Sequence, residues 1–290
     1  MVLSGYLYAT RFVLGGFSGA AVGGCERGLY IERGGKMRRW EGLVLLLFVL
    51  SSCKKEKWFD GPDDFQDNFE SYVALDDLFL PKDQLWSLKQ LTRSQNGISV
   101  DTTKCHGGRS SIQCVAQKSA DEGASKSSIV KHNMAFWDGE TVVMRAWYFI
   151  EGTQSLQWLF LMDLEEQVAV GAGPGMRLAL VNDQLRMEYK FNEKDIVQKV
   201  GEEINFPRNA WVEVVWEVKL SQKHEGSVRL WQNGQLIISA DNKRTLPKDI
   251  LYFQQGTKGM YSSCEVGITA NSKENDVRLW VDDVGFERKK

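Results

Sequence analysis

Short segments with alternating apolar and polar residues recur along most of the chain and restrict its possible folds more than any other feature. In residues 211–220 every second side chain is apolar, the spacing that places those side chains on one face of a β-strand. Asn233 and Gly234 join two such segments, and this dipeptide strongly favours a two-residue hairpin turn. Asn182 and Asp183 form a second turn signal of this kind. The clearest predicted strands are residues 110–117, 141–151, 156–164, 176–181, 184–191, 211–220, 227–232, 235–240, 265–270 and 276–287.

Helix signals are sparse by comparison. Only residues 81–93 favour a helix, and they do so weakly. Many strands without interspersed helices are typical of two antiparallel sheets packed face to face. The predicted fold class is therefore all-β, a two-sheet antiparallel β-sandwich.

The charge balance excludes one class of partner. The chain carries 36 Lys and Arg against 38 Asp and Glu, which gives a formal net charge of −2. A protein that neutralises a phosphate backbone needs a basic excess, so no nucleic-acid partner is expected.

The N-terminal part has the features of an export signal. Three basic residues within 36–39 precede an unbroken apolar run at 43–50, and two serines then precede Cys53. As a helix this run rises about 12 Å, far less than the roughly 30 Å of a bilayer core. The segment ending at Cys53 resembles the lipobox of bacterial lipoproteins. A buried helix with a stray cysteine is the alternative interpretation.

The lipoprotein resemblance implies a division of the chain. It predicts that residues 37–52 are a signal peptide and that Cys53 carries the lipid, which would provide a membrane anchor. Lys54, rather than Asp, follows the cysteine, and this implies the outer membrane, with the protein facing the periplasm or the cell surface. Residues 1–36 fit no part of a signal and are predicted to lie upstream of the true start at Met37. Residues 53–67 are predicted to be a flexible tether, and residues 68–290 the β-sandwich domain.

Three cysteines fall in the predicted domain, namely Cys105, Cys114 and Cys264. Export permits a disulfide, but an odd number leaves at least one thiol unpaired or paired between chains. Cys105 and Cys114 flank a predicted turn and would lie diagonally across a hairpin, so the geometry of a bridge between them is doubtful.

Several motifs occur in an order that resembles the concanavalin A-like jelly rolls, which include laminin-G-like lectin domains and jelly-roll polysaccharide lyases. The resemblance covers roughly residues 68–288 and implies glycan binding or glycan cleavage, although a fold alone does not fix a function. The motifs are NFE (68–70), GGRSSI (107–112), WVEVVW (211–216), GSVRLWQNG (226–234) and VRLWVDDV (277–284).

Catalytic candidates are few. The resemblance to jelly-roll lyases implies a Gln-x-His strand, a tyrosine and basic groups that move protons and neutralise a uronate, but the chain has no Gln-x-His. His132 is the best placed histidine, and Tyr261 loosely matches the late tyrosine of those lyases. Asp163 and Glu165 alternate on one strand face, the arrangement of carboxylates in retaining glucanases. Solvated surface charge is the alternative role for this pair, and a structural role is the alternative for Tyr261.

Binding candidates come from pairs of aromatic and planar polar side chains that share a strand face. Arg145 with Trp147 and Arg229 with Trp231 could stack on a sugar and bind its hydroxyl groups. In related jelly rolls, carboxylates of the first and last strands often hold structural Ca²⁺, so Glu70 and Asp283 are the predicted metal ligands. Two solvated carboxylates are the alternative.

The first functional hypothesis is therefore a lipid-anchored extracytoplasmic protein that binds a polysaccharide without catalysing a reaction. A divergent polysaccharide lyase or glycoside hydrolase is the second, and a structural envelope lipoprotein is the third.

Overall fold

The computed structural model describes residues 62–79, 85–119, 123–166, 173–247 and 260–289. Within these ranges the chain forms fourteen β-strands and one short 3-10 helix, Leu75–Phe79. The strands are β1 (Asp64–Asp67), β2 (Leu88–Leu91), β3 (Gly97–Asp101), β4 (Ser111–Ala116), β5 (Ser125–Trp137), β6 (Thr141–Ile150), β7 (Leu159–Glu165), β8 (Gly175–Val181), β9 (Gln184–Tyr189), β10 (Trp211–Lys219), β11 (Gly226–Gln232), β12 (Gln235–Lys243), β13 (Met260–Asn271) and β14 (Val277–Lys289).

The strands form two antiparallel sheets. One is eight-stranded, with the order β12-β11-β10-β6-β14-β4-β3 and with β1 paired to β14. The other is six-stranded, with the order β2-β5-β13-β7-β8-β9. A continuous apolar core contains side chains of both sheets, and the buried hydroxyl of Tyr148 in β6 donates a 2.8 Å hydrogen bond to the backbone carbonyl of Leu161 in β7. The predicted two-sheet β-sandwich is confirmed.

Two hairpins show how local sequence produces this architecture. Asn182 and Asp183 join β8 to β9 with φ of 50° and 62°, and Asn233 and Gly234 join β11 to β12 with φ of 49° and 75°. Positive φ at both central residues gives a turn whose twist matches that of the flanking strands, and asparagine, aspartate and glycine tolerate it. Both hairpins lie where the sequence predicts them.

Strand β10 shows the burial that its alternation predicts. Val212, Val214, Trp216 and Val218 are buried in the core, and the intervening side chains are half-buried or exposed on the other face. The alternation therefore sets which residues of this strand face the core.

Two sequence expectations need correction. Residues 64–67, predicted to belong to the tether, form β1 and pair with residues 284–287 of β14. The folded part therefore begins before residue 68. Within residues 81–93, predicted as the only helical stretch, residues 88–91 form β2 because they pair with β5, and residues 81–84 lie outside the described residues. Cys105, Cys114 and Cys264 are all free thiols.

Candidate functional site

A row of charged side chains crosses the outer face of the six-stranded sheet. The strand register places Glu265 of β13 opposite Asp163 of β7, Asp163 opposite Arg177 of β8, and Arg177 opposite Glu188 of β9. These residues alternate along their strands with core residues such as Leu164 and Leu178, so they share the face directed away from the core. We call this surface the charged face.

Three of its carboxylates are buried and lie close together. One oxygen each of Asp163, Glu165 and Glu265 fall within 4.8 Å of one another. Lys190 lies between the first two, with Nζ 3.5 Å from an Asp163 oxygen and in an ion pair with Glu165. Lys126 Nζ lies 3.4 Å from Glu265 Oε1. The two ammonium groups offset the repulsion among carboxylates that would otherwise be costly to bury.

Burial changes the proton affinity of this cluster. Desolvation raises the pKa of Glu265 to about 7, and the ammonium of Lys126 only partly opposes it. Desolvation and the charge of Asp163 also raise the pKa of Glu165. The pKa of Lys190 is raised as well, because attraction from Asp163 and Glu165 exceeds the desolvation that lowers it. Lys190 therefore stays charged at neutral pH, while Glu265 exchanges a proton there.

A cleft of about 380 Å³ lies beside the cluster and has a positive lining. We call it the cationic cleft. Its aromatic wall is Trp158 stacked on Phe160, with ring centroids 4.7 Å apart, and the guanidinium of Arg177 lies 3.7 Å from the centre of the Phe160 ring. Flat aromatic faces suit the C–H surface of a sugar. Its charged lining residues are Lys126, Arg177, Lys190, Lys273 and Asp163, four cations against one carboxylate.

The structure brings three predicted catalytic residues to this region and separates the fourth. His132 of β5 lies opposite Ser263, which lies opposite Glu165, and burial lowers the pKa of His132, so its imidazole is neutral at neutral pH. Asp163 and Glu165 lie in the buried cluster. Tyr261 is buried in the core, and its hydroxyl donates a 2.8 Å hydrogen bond to the carbonyl of Thr245, which favours a structural role.

The raised pKa of Glu265 predicts a stability change with pH. The folded protein holds this proton more tightly than an unfolded chain with the ordinary value of 4.5, so the associated stability is complete below 4.5 and is lost as the pH rises through about 7. The parent should therefore lose unfolding free energy relative to Glu265→Gln as the pH rises from 4.5 to about 7. Above that pH the difference between the two proteins should level off. Urea unfolding across this range measures the difference.

Glu166 does not obscure this comparison, because it titrates in both proteins. Its carboxylate is buried, and burial raises its pKa to about 7 too. The matched control is Glu202→Gln, the same chemical change on an exposed loop. A Glu265→Gln difference that stayed constant with pH would contradict the raised pKa.

The predicted sugar-binding pairs lie on the other sheet and do not form one site. Arg145 and Trp147 of β6 line a separate cleft of about 680 Å³ on the outer face of the eight-stranded sheet. Arg229 and Trp231 of β11 are not among the residues that line it. The guanidinium of Arg229 is engaged by Asp241, at 2.6 Å, and by the carbonyl of Ala240.

Glu70 and Asp283, the predicted calcium ligands, both contact the loop that joins β3 to β4. Glu70 Oε1 accepts hydrogen bonds from the backbone N–H groups of Arg109 and Ser110, which lower the pKa of its carboxyl. Asp283 Oδ2 lies 2.7 Å from Nδ1 of His106. Calcium needs several oxygen ligands, whereas this loop presents amide donors, so the arrangement does not fit calcium. It fits a role in which the carboxylates hold the loop directly, and calcium binding stays untested.

Chelation distinguishes a calcium-binding role of these carboxylates from a role in holding the loop. Because amide donors already engage Glu70, we expect EDTA to leave the melting temperature unchanged, whereas Glu70→Ala should lower it, since the two backbone N–H groups lose their acceptor. Thermal unfolding with and without EDTA measures the first effect. A clear drop in melting temperature on chelation, reversed by added calcium, would restore the calcium hypothesis.

The predicted lipid site, Cys53, and the predicted signal at 37–52 lie outside the described residues, as do residues 1–36. Among the residues that are described, no helix is both long enough and apolar enough to cross a membrane.

Sequence reasoning missed most of the charged face. No sequence motif marks the residues that it missed, because their roles follow from strand pairing. These residues are Lys126, Arg177, Lys190 and Glu265. One signal was available, because the turn at 182–183 fixes the β8–β9 register and so places Arg177 opposite Glu188.

Comparisons with known proteins are consistent with this geometry. A family model described as "Polysaccharide lyase" matches residues 82–285. No curated protein matches the sequence. Among solved structures, an endo-β-1,4-glucuronan lyase from the fungus Trichoderma reesei is similar with a TM-score of 0.57 and 16% identity, covering 78% of this chain and 95% of that one.

Two further solved structures share the fold. The cellulose induced protein Cip1 has a TM-score of 0.54 and 15% identity, covering 77% of this chain and 96% of its own. The alginate lyase Aly36B, in complex with alginate trisaccharide, has a TM-score of 0.51 and 10% identity, with coverage of 79% and 99%. At these identities the likeness concerns the fold alone, whereas the family match spans residues 82–285 of 290. The chain therefore belongs to the polysaccharide lyase family.

Proposed function

We propose that this protein is a polysaccharide lyase that cleaves a uronate-containing polysaccharide in the cationic cleft. This is the second of the three hypotheses drawn from the sequence, and family membership favours it over binding alone. The observation that carries the proposal is the cleft itself, where four cations and an aromatic wall lie beside a buried carboxylate cluster in which burial raises the pKa of Glu265 to about 7.

The chemistry of the cleft suits β-elimination. A base removes the proton on the carbon next to the uronate carboxylate, the electron pair forms a carbon–carbon double bond, and the glycosidic oxygen leaves and is protonated. Negative charge grows on the uronate carboxylate before that bond breaks, and nearby cations stabilise it. The side chains of Lys126 and Arg177, at 21% and 27%, and of the exposed Lys273 are more accessible than that of Lys190, so they are suited to contact the substrate.

Lys190 has a different role in this proposal. Its side chain is only 12% exposed and binds both Asp163 and Glu165, so it holds the buried cluster together beneath the cleft. The neutral imidazole of His132, on the same face, can accept a proton. Because Asp163 and Glu165 are tied to Lys190, they are poorly placed to act as the freely exchanging carboxylates of a retaining glycosidase.

A spectrophotometric assay tests the proposal. The solved relatives are named for glucuronan and alginate, so these two polymers and a wider panel of uronate polymers are the substrates to use. The new double bond is conjugated with the carboxylate and absorbs ultraviolet light, so we expect absorbance to rise with at least one polymer. New reducing ends without this absorbance would indicate hydrolysis, and binding without any product would indicate a binding protein. Either result would overturn the lyase proposal.

We also propose that the chain is exported and held at the outer membrane by lipid on Cys53. The support is the order of basic residues, apolar run and small residues before this cysteine. This proposal is independent of the catalytic one, because it concerns residues outside the described part of the chain.

Labelling of cells with palmitate tests the anchor. The parent protein should incorporate label and sediment with membranes, and Cys53→Ser should lose both properties because the acylated sulfur is gone. Cys105→Ser is the matched control, since Cys105 is a partly exposed free thiol in the folded domain. A Cys53→Ser protein that keeps its label, or a parent protein without label, would contradict lipidation.

A further inference from the structure

The cleft on the opposite side of the sandwich differs in chemistry from the cationic cleft. It is the 680 Å³ cleft on the outer face of the eight-stranded sheet, and residues 66–72, which begin at the end of β1, line one side of it. We call it the acidic cleft. Its lining includes Trp147 and Arg145 of β6, Glu213 of β10 and Asp283 of β14, together with Asp67 of β1 and Tyr72.

Trp147 is held in place by neighbours outside its own strand. The ring of His106 stacks on the indole with centroids 3.6 Å apart and planes 13° apart, and Nδ1 of His106 lies 2.7 Å from Asp283. The β-strand register places Glu213 beside Trp147. Trp147 is half-buried and lines the cleft, so the part of the indole that His106 leaves uncovered offers a stacking surface, and Glu213 offers a hydroxyl acceptor. These are the two contacts that a sugar ring needs.

Arg145 extends across the sheet next to this indole. Its side chain passes over Gly285, where an added Cβ would lie 3.0 Å from Arg145 Cγ, so glycine leaves room for the arginine stem. The guanidinium donates a 2.9 Å hydrogen bond to Glu287. Arg145 therefore contributes planar donors to the cleft, while its positive charge is already balanced by a carboxylate.

The two clefts differ in the charge of their lining residues and therefore in the ligands that they suit. The charged side chains lining the acidic cleft are Asp67, Glu213, Asp283 and Arg145, three carboxylates against one cation. A polyuronate would meet like charges here, whereas in the cationic cleft it meets four cations and one carboxylate. The acidic cleft thus suits a sugar without a charge.

Part of this cleft lies outside the region that defines the family. Residues 66–72 form one wall, and the family match begins at residue 82. Asp67 fixes the wall by accepting hydrogen bonds from the hydroxyl of Tyr72, at 2.7 Å, and from Nε1 of Trp86, at 2.8 Å. These hydrogen bonds hold the wall in a defined position.

We propose that the acidic cleft binds a neutral polysaccharide, on the side of the sandwich opposite the uronate-cleaving cleft. Such a site would hold the protein against an uncharged polymer while the cationic cleft acts on an anionic one. The two sites use different residues and different sheets, so either can operate without the other.

Affinity electrophoresis of the folded protein tests this site. Native gels containing soluble β-glucan, galactomannan or a xylan free of glucuronate should retard the parent protein in at least one case, and gels containing alginate should show no retardation that depends on Trp147. Trp147→Ala should weaken binding to the neutral polymer by about tenfold or more, because the stacking surface is lost. Arg145→Ala should weaken it too, and its side chain is 46% exposed, so the fold tolerates the change.

Trp231→Ala is the matched control, because Trp231 is a half-buried tryptophan of the same sheet that does not line the cleft. It should leave retardation unchanged. No retardation by any of the three neutral polymers, or equal retardation of the parent and the Trp147→Ala and Arg145→Ala variants, would overturn the proposal. Because these neutral polymers contain no uronate, retardation by them does not depend on lyase activity. The binding proposal and the lyase proposal can therefore fail independently of each other.

Discussion

Replacement of Arg177 by alanine is expected to lower kcat/KM on a uronate polymer by about 10²–10³-fold, the usual loss when one preorganised group that stabilises developing charge is removed. Arg177 lines the cationic cleft, and its guanidinium lies 3.7 Å from the centre of the Phe160 ring, which stacks on Trp158. A sugar stacked on this wall would place its carboxylate within reach of the planar donors. Initial rates of absorbance increase at several polymer concentrations measure the effect.

The same substitution should change the unfolding free energy by less than about 1 kcal/mol, because a partly exposed ion pair contributes little. Glu188, the partner of Arg177, also binds Arg186, so its carboxylate keeps a cation when Arg177 is removed. Lys190 would be a poorer test, since its removal leaves Asp163 and Glu165 without their shared cation. Loss of activity in Arg177→Ala can therefore be attributed to the cleft.

Arg186→Ala is the matched control for Arg177→Ala. Arg186 binds the same carboxylate, but it lines a different cavity, at residues 181–203. It should retain nearly full activity, and Arg177→Lys should recover part of the loss, because lysine keeps the charge without the planar fork. Equal losses in Arg177→Ala and Arg186→Ala would show that the cleft is not where the substrate binds.

The largest expected effect on stability is that of Trp216→Ala. This side chain lies in the core on β10 and is fully buried. Removing a buried tryptophan loses its transfer free energy and leaves a cavity, which together cost about 3–5 kcal/mol. Urea unfolding followed by circular dichroism measures the change.

Two variants sharpen this prediction. Trp231→Ala, on the paired strand β11 but only half-buried on the outer face, should cost clearly less. Trp216→Phe should also cost less than Trp216→Ala, because it keeps most of the ring volume and removes an indole N–H that finds no acceptor among the described residues. If Trp216→Ala and Trp231→Ala had similar costs, the assignment of Trp216 to the core would be wrong.

Local sequence was sufficient for the parts of the fold that depend on neighbouring residues. The alternation in β10 identified its buried face, and the asparagine-containing turns identified the β8–β9 and β11–β12 hairpins with their register. These features follow from the two-residue period of a strand and from the few residues that tolerate positive φ. The sheet class follows in turn, because many such strands without helices pack best as two layers.

Pattern reasoning failed where a distant partner decides the structure. Residues 64–67 resemble a polar tether in isolation, and they become β1 only because β14, more than 200 residues later, offers them an edge. Residues 88–91 become a strand for a similar reason, through pairing with β5. Secondary structure at such positions is a tertiary effect.

The candidate sites show the same division. The sequence alone determined the all-β sandwich, and it nominated His132, Asp163 and Glu165 as catalytic candidates and Arg145 and Trp147 as binding candidates. Only the tertiary structure decided that Lys190 binds Asp163 and Glu165, that Lys126 binds Glu265 beside them, and that Arg177 lies opposite Asp163. It also decided that the two groups of candidates lie on opposite sheets. The physical reason is that strands β5, β7 and β13 pair across long separations in sequence, and no local pattern specifies which of them become neighbours.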